Sequence, residues 1–402
     1  MLKPVLRVIG VTLFVLIVAL CLAIVLAPPF LDRIYYRGPV SGHYDGARFF
    51  NPDGDDMARP PGGRSRGGFL LRWITGNDDR PAWPQTVPVT QTRPAARVEG
   101  EQMVATWIGH ATVLVQTQGL NILTDPIWSE RAGPFGLVGP KRVTAPGVRF
   151  QDLPKIDVVI VSHNHYDHLD LDTLKRLWER DKPLIVTSLG NDAVIAGAGA
   201  RAVAADWGQR VSVRPGIDVV VTRNHHWGSR WFTDRNRALW SSFTITLPGG
   251  NIFFAGDTGA GDMQWPAEAA RIGPVRLAII PIGAFRFSPG SMETGSHIGP
   301  VDAVEVFRRL DAQTAIPIHW GTFRLSFEAY DTPPRLLKAA LDCSLITHNR
   351  PGRTFDAAVI GRPIAIAPLA AIRRPPEPVA MPERDRAEVL RCLDTPAVRA
   401  ME

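Results

Sequence analysis

The stretch Val158-Val159-Ile160-Val161-Ser162-His163-Asn164-His165-Tyr166-Asp167-His168 decides how this chain is read. Four β-branched residues in a row make the pattern of a buried strand. They run straight into three histidines and one aspartate within six residues. Imidazole and carboxylate groups suit zinc and similar divalent ions. A tight loop leaving a buried strand is rigid, as metal geometry requires. His163 and His165 are two apart, so in an extended turn both can face one ion. Asp167 and His168 open the next element and can face a second. Four candidate ligands at this spacing are hard to reconcile with a polar loop of coincidental histidines.

Working outward, three other apolar runs end in metal-capable side chains. The run 217–222 leads into Asn224-His225-His226-Trp227. The run 252–255 leads to Gly256-Asp257-Thr258-Gly259, and 314–318 leads to His319-Trp320-Gly321. A single histidine after a strand is often just a hydrogen-bonded residue. Ligands at the same ends of neighbouring strands, however, would converge on one edge of the sheets.

The rest of the chain supplies the frame. Strand-length apolar runs occupy 103–108, 111–117, 120–124, 157–161, 184–187, 217–222, 242–247, 252–255, 277–282 and 314–318. Between them, 170–180 reads as a helix with Leu171, Leu174, Leu177 and Trp178 on one face and Asp170 as cap. Pro300 opens a second helix over 300–310, with Val301, Val304 and Phe307 inward. Strands mixed with helices through one region predict a single α/β domain.

Four segments are expected: an N-terminal membrane anchor with its flanks (1–37), an irregular Gly/Pro/Arg-rich arm (38–96), a catalytic domain (97–372) and a peripheral tail (373–402). Val8–Ala27 is 20 residues without a charge, enough to cross a bilayer as a helix. Lys3 and Arg7 precede it, which predicts a cytoplasmic N-terminus and an extracytoplasmic or periplasmic body, as in a bacterial inner membrane. A cleaved signal peptide is the alternative. In the arm, Arg64, Arg66 and Arg72 flank Phe69, Leu70, Leu71, Trp73 and Ile74, a mixture suited either to a lipid surface or to packing on the core. The chain has 402 residues, 45 basic and 39 acidic, and no long Lys/Arg block, which argues against a nucleic-acid partner. Cys21 lies in the apolar segment. Cys343 and Cys392 could pair only with each other, and no disulfide framework is evident.

Taken together, HxHxDH and its surroundings resemble the metallo-β-lactamase superfamily. The segments Thr106-Trp107-Ile108-Gly109-His110-Ala111-Thr112, Leu123-Thr124-Asp125-Pro126, His226-Trp227, Phe253-Phe254-Ala255-Gly256-Asp257-Thr258-Gly259 and Ile318-His319-Trp320-Gly321-Thr322 are most similar to the N-acyl-phosphatidylethanolamine-hydrolysing phospholipase D family. The likeness covers about residues 42–345. It implies a four-layer αββα sandwich holding two Zn²⁺ per chain. One ion would take His163, His165 and His226, the other Asp167, His168 and His319, with Asp257 bridging. His225 is the rival of His226, and the adjoining Trp227 favours His226. His297, in Gly295-Ser296-His297-Ile298, matches a further active-site histidine that is not a ligand. Asp125 would orient a ligand histidine or simply form the turn before Pro126. His110 is expected to shape the strand turn. The implied reaction is phospholipase D-type cleavage of N-acyl phosphatidylethanolamine at a membrane, with Asp257 and His297 in the catalytic machinery. A homodimer is one expectation for the assembly. The alternatives are another hydrolase of this fold, a lactonase or nucleotide phosphodiesterase, or a non-catalytic lipid-binding protein with a relict site.

Overall fold

In β4 (Val158–Val161), Val158 and Ile160 pack into one hydrophobic cluster and Val159 and Val161 into another. A strand buried on both faces belongs inside a layered fold, and this alternation locates it. A computed structural model describes residues 2–54, 80–231, 233–286, 295–349, 352–369, 383–399 and 401. Within them the chain forms a helix–sheet–sheet–helix sandwich.

The first sheet contains β1 (Met103–Gly109), β2 (Thr112–Thr117), β3 (Leu120–Thr124), β4, β5 (Leu184–Ser188), β6 (Ala202–Ala205) and β14 (Pro363–Ala365), in the order β14-β1-β2-β3-β4-β5-β6. The second contains β7 (Arg210–Arg214), β8 (Ile217–Thr222), β9 (Ser242–Ile245), β10 (Asn251–Phe254), β11 (Val275–Pro281), β12 (Thr314–Ile318) and β13 (Thr354–Phe355), in the order β13-β12-β11-β10-β9-β8-β7. Trp107, Val113, Ile122 and Ile160 of the first sheet meet Val219, Phe243, Ile252 and Ile279 of the second to form the central layer. Each Val, Ile or Phe among them stabilises the fold by about 1.5–3 kcal/mol on burial.

Helices cover the outer faces. Leu174 and Leu177 of α2 (Leu171–Asp181) and Val194 and Ile195 of α3 (Asn191–Ala196) pack on Leu114, Leu123, Val159 and Val161. Asp170 caps α2 by accepting from the amides of Asp172 and Thr173. On the other side lie α4 (Trp265–Ala270), α5 (Pro300–Arg309) and α6 (Thr332–Ser344), packed on Phe253, Ala278 and Ile280. Short α7 (Ile346–Asn349) follows α6.

The tail, expected to be peripheral, packs into the body instead. Val389 and Leu393 of α8 (Arg386–Leu393) are buried in the same cluster as α5 and α6. A disulfide joins Cys343 on α6 to Cys392 on α8, so these two cysteines are structural. A last helical turn, α9 (Pro396–Arg399), follows.

At the other end, α1 (Leu2–Leu31) includes Pro4–Leu26, 23 residues of mean hydropathy 3.2 with none buried. By length and composition this helix can cross a membrane. The chain is then fastened to the body at once: Asp32 accepts from Arg237 at 2.6 and 2.8 Å and from Arg48 at 3.1 Å. The start of the arm wraps the core, with Tyr44 and Phe49 buried against Leu239 and Trp240. The basic and aromatic cluster at 64–74 lies outside the described residues.

Candidate metal centre

Strand direction brings the candidate residues together. In the first sheet β1, β3 and β4 point the same way, so the turn at His110, Asp125 and the loop 162–168 leave one edge. In the second, β8, β10 and β12 are likewise parallel in direction, so His226, Asp257 and His319 leave the matching edge. The seven residues expected as ligands are all gathered there.

They form two groups whose ligand atoms lie within 4.8 Å of one another. His163, His165, His226 and Asp257 make one; Asp167, His168 and His319, with His110, make the other. In the first, His165 Nδ1 lies 2.8 Å from His163 Nε2 and 3.4 Å from His226 Nε2. In the second, Asp167 Oδ2 is 3.4 Å from both His168 Nε2 and His319 Nε2. Asp257 Oδ2 stands between them, 3.0 Å from His168 Nε2, 3.1 Å from His319 Nε2 and 4.0 Å from His226 Nε2. His297 Nδ1 approaches the same oxygen to 3.9 Å.

The second layer of contacts turns the rings inward. His168 Nδ1 lies 2.6 Å from Asp125 Oδ2, His226 Nδ1 2.8 Å from the Ser296 carbonyl, and His319 Nδ1 3.3 Å from the Gly283 carbonyl. His163 Nδ1 meets Ser162 Oγ at 2.9 Å, and that hydroxyl donates to Asp125 at 2.5 Å. These oxygens favour Nδ1–H tautomers, which leave Nε2 lone pairs aimed at the centre. Asp125 thus contacts both His168 and Ser162. Three site residues, His110, Asp125 and His319, hold positive φ of 52°, 30° and 65°. Backbone strain of this kind persists only where the surroundings enforce it. Gly256 is also required: at φ +61° a Cβ there would lie 2.7 Å from the Ser162 Cβ.

Electrostatics test whether a cation fits. Burial pushes His163 and His226 well below their usual range and His165 down to about 3. Burial opposes charge on His168 and His319 too, but Asp257 and Asp167 outweigh it; His168 rises, and His319 rises to about 9. Burial opposes ionisation of Asp167 and Asp257, and the facing histidines overcome it. Asp257 Oδ1 is buried without a hydrogen-bond partner. Buried lone pairs and carboxylates converging in this way are costly unless a cation neutralises them. The donor set of imidazole and carboxylate fits a pair of divalent ions.

Residues 120–320 match the beta-lactamase superfamily domain. The N-acyl-phosphatidylethanolamine-hydrolyzing phospholipase D 1 of Caenorhabditis elegans is 36% identical over 251 residues, covering 60% of this chain and 70% of the relative. The chain belongs to the metallo-β-lactamase superfamily, in its N-acyl-phosphatidylethanolamine-hydrolysing phospholipase D-like family. The mitochondrial enzyme of the same name from Saccharomyces cerevisiae is 33% identical over 239 residues, 58% of this chain and half of the relative. The solved isothiocyanate hydrolase from Delia radicum gut bacteria covers 66% of this chain and all of its own, with TM-score 0.51 and 20% identity. At that identity the likeness speaks for the fold alone. The protein is thus a metal-dependent hydrolase of this family.

Within the family frame, one supporting contact was not evident in the sequence. His110 is a direct partner of the site, its Nε2 2.9 Å from Asp167 Oδ2 and its ring centroid 4.2 Å from that of His319. The motif Gly109-His110 and the Trp-Ile-Gly-His turn were its only signal. His225, the rival of His226, turns away: its Nδ1 meets Asp53 Oδ1 at 2.8 Å. Adjacent residues in an extended segment face opposite ways, so one histidine enters the site and the other ties down the arm.

Proposed function

We propose that the protein is a membrane-tethered, dinuclear zinc phosphodiesterase that cleaves N-acyl phosphatidylethanolamine to N-acylethanolamine and phosphatidic acid. The observation that carries this reading is Asp257 Oδ2, standing 3.0 and 3.1 Å from the histidines of one group and 4.0 Å from a histidine of the other. In it, His163, His165 and His226 would hold one ion, Asp167, His168 and His319 the other, and Asp257 would serve both. When bound, the two ions supply water activation near neutral pH and stabilise the charge growing on phosphoryl oxygens.

The chain's own residues supply the rest. Asp125, Ser296 and Gly283 hold the imidazoles in the tautomers that coordination needs. His297 stands beside Asp257 and is assigned to hydrogen-bond the leaving alkoxide. The two named relatives support the substrate class, since both are phospholipases D acting on N-acyl phosphatidylethanolamine.

The apolar α1 supports the tether. Lys3 and Arg7 before it favour a cytoplasmic N-terminus and an extracytoplasmic body. The Cys343–Cys392 disulfide supports the same side, because such bonds persist in oxidising compartments.

The test is purified full-length protein on N-acyl phosphatidylethanolamine vesicles, with and without chelator. N-acylethanolamine release that chelator abolishes and zinc restores is expected. No release by the zinc-loaded protein, alongside turnover of a lactone or simple phosphodiester, would assign a different substrate.

A further inference from the structure

Residues 131–141 form a hairpin whose neck is closed by the Arg131–Lys141 bridge and the Ala132 amide donating to the Pro140 carbonyl at 3.0 Å. Glycine is required at the neck: a Cβ on Gly133 would lie 2.2 Å from the Val138 carbonyl oxygen, and one on Gly139 2.3 Å from that of Ala132. The tip projects Phe135, Leu137 and Val138, which are 84%, 76% and 54% exposed. Three large apolar side chains at the end of one built hairpin are an unusual exposure for a water-facing surface.

The hairpin is continuous with the chain leaving α1. Asp32 is pinned to Arg48 and Arg237, which fixes the point where the apolar helix meets the body. The next residue, Arg33, lies with its guanidinium 5.1 Å from the centroid of the Trp231 ring. Trp231 in turn lies 6.5 Å, centroid to centroid, from Phe135. Behind the hairpin is a cavity of about 680 Å³ whose lining includes Arg33, Arg131, Lys175, Arg230, Tyr166 and Trp231. The carboxylates at its rim are engaged: Glu130 with Lys141, Asp170 as helix cap, and Asp172 toward Arg176. Tyr166 lies between His165 and Asp167, so the wall of the cavity is the outer side of the metal loop.

We propose that this face docks on the bilayer that holds α1, with Phe135, Leu137 and Val138 dipping among the acyl chains. Arg33, Arg131 and Lys175 then lie at the level of lipid phosphates, and Trp231 and Tyr166 at the interface that amphipathic rings favour. The proposal rests on the reading of α1 as a membrane anchor. It turns the metal loop toward the surface from which a phospholipid would enter.

The experiment places a nitroxide at defined positions in the full chain reconstituted into phosphatidylethanolamine/phosphatidylglycerol vesicles. Cys21 is the free cysteine and lies in α1, so the native chain carries the reference label. Two further chains combine Cys21→Ser with Leu137→Cys or with Val359→Cys, the latter 58% exposed and outside this face. The expected result is that the label at 137 resembles that at Cys21, accessible to oxygen and shielded from a water-soluble nickel chelate. The label at 359 should show the reverse. If the label at 137 behaves like that at 359 while Cys21 reports lipid, the docking face is overturned and the anchor stands. If Cys21 itself is open to the nickel chelate, anchor and docking face fall together.

Discussion

The side-chain amide of Asn51 grips the backbone of His226 from both sides. Its Nδ2 donates to the His226 carbonyl at 2.8 Å, and the His226 amide donates to its Oδ1 at 3.2 Å. Trp240 Nε1 donates to the same oxygen at 2.9 Å. A residue of the N-terminal arm thus sets the position of a candidate ligand 175 residues later. Asn51→Ala leaves these buried groups unpaired, at about 1–3 kcal/mol for each orphaned group. The variant is expected to melt several degrees lower and to lose metal faster on dialysis. Melting and metal retention both equal to wild type would remove the clamp from the account.

Asp257→Asn removes the shared carboxylate between the two ligand groups. Turnover is expected to fall about a thousandfold, with less metal per chain. Elemental analysis alongside kcat tests this, and undiminished activity would end the bridging role.

Asp125 accepts from His168 Nδ1 and from Ser162, and so fixes rings it does not share a cation with. Asp125→Asn should weaken metal affinity about 10- to 100-fold, the usual effect of losing an orienting partner. Competition with a fluorescent chelator measures it. An affinity unchanged from wild type would reduce Asp125 to a turn residue.

Burial opposes ionisation of Asp53, but His225, the Asp262 amide and Arg223 overcome it and lower its pKa to about 2. A carboxyl depressed from 3.8 in the folded state contributes stability that is present above about pH 4 and lost as pH falls toward 2. Urea denaturation at pH 5 and pH 2.5 should therefore show a larger loss for wild type than for Asp53→Asn. Equal losses would mean that this contact does not hold the arm to the body.

The Cys343–Cys392 disulfide closes a loop of 49 residues and clamps the tail helix onto α6. Replacing both cysteines by serine should lower stability by about 2–4 kcal/mol. Denaturation of the oxidised protein and the double variant compares them, and coincident curves would leave the bond without a stabilising role.

How much of this was legible in the sequence follows from the range of each signal. β4 is wholly apolar, and β8, β10 and β12 each hold at least three consecutive apolar residues, with the ligand candidates within a few residues of their ends, so local reading finds them. β6, with its alanines, and β7, which alternates arginine with valine and serine, lack that signal; β13 and β14 have only two and three residues. Their place comes from neighbouring strands rather than from their own sequence. The His110–Asp167 contact spans 57 residues and depends on a left-handed turn at His110. The burial of the tail is not legible from α8 alone, because Val389, Leu390 and Leu393 find their partners only on the α5–α6 surface that receives them.

The two sheets share one plan, in which antiparallel neighbours (β1-β2-β3 and β8-β9-β10) give way to parallel ones (β3-β4-β5-β6 and β10-β11-β12-β13). Under the proposed assignment, neither half of the protein owns a complete coordination sphere: each cation draws ligands from both. Each ion is then a rivet through the seam between the halves. Because coordination tolerates only about 0.2 Å of error, a slip of one half along the other would eject the ions. Metal occupancy would therefore act as a gauge of how well the halves are aligned, and a separated half should hold neither ion.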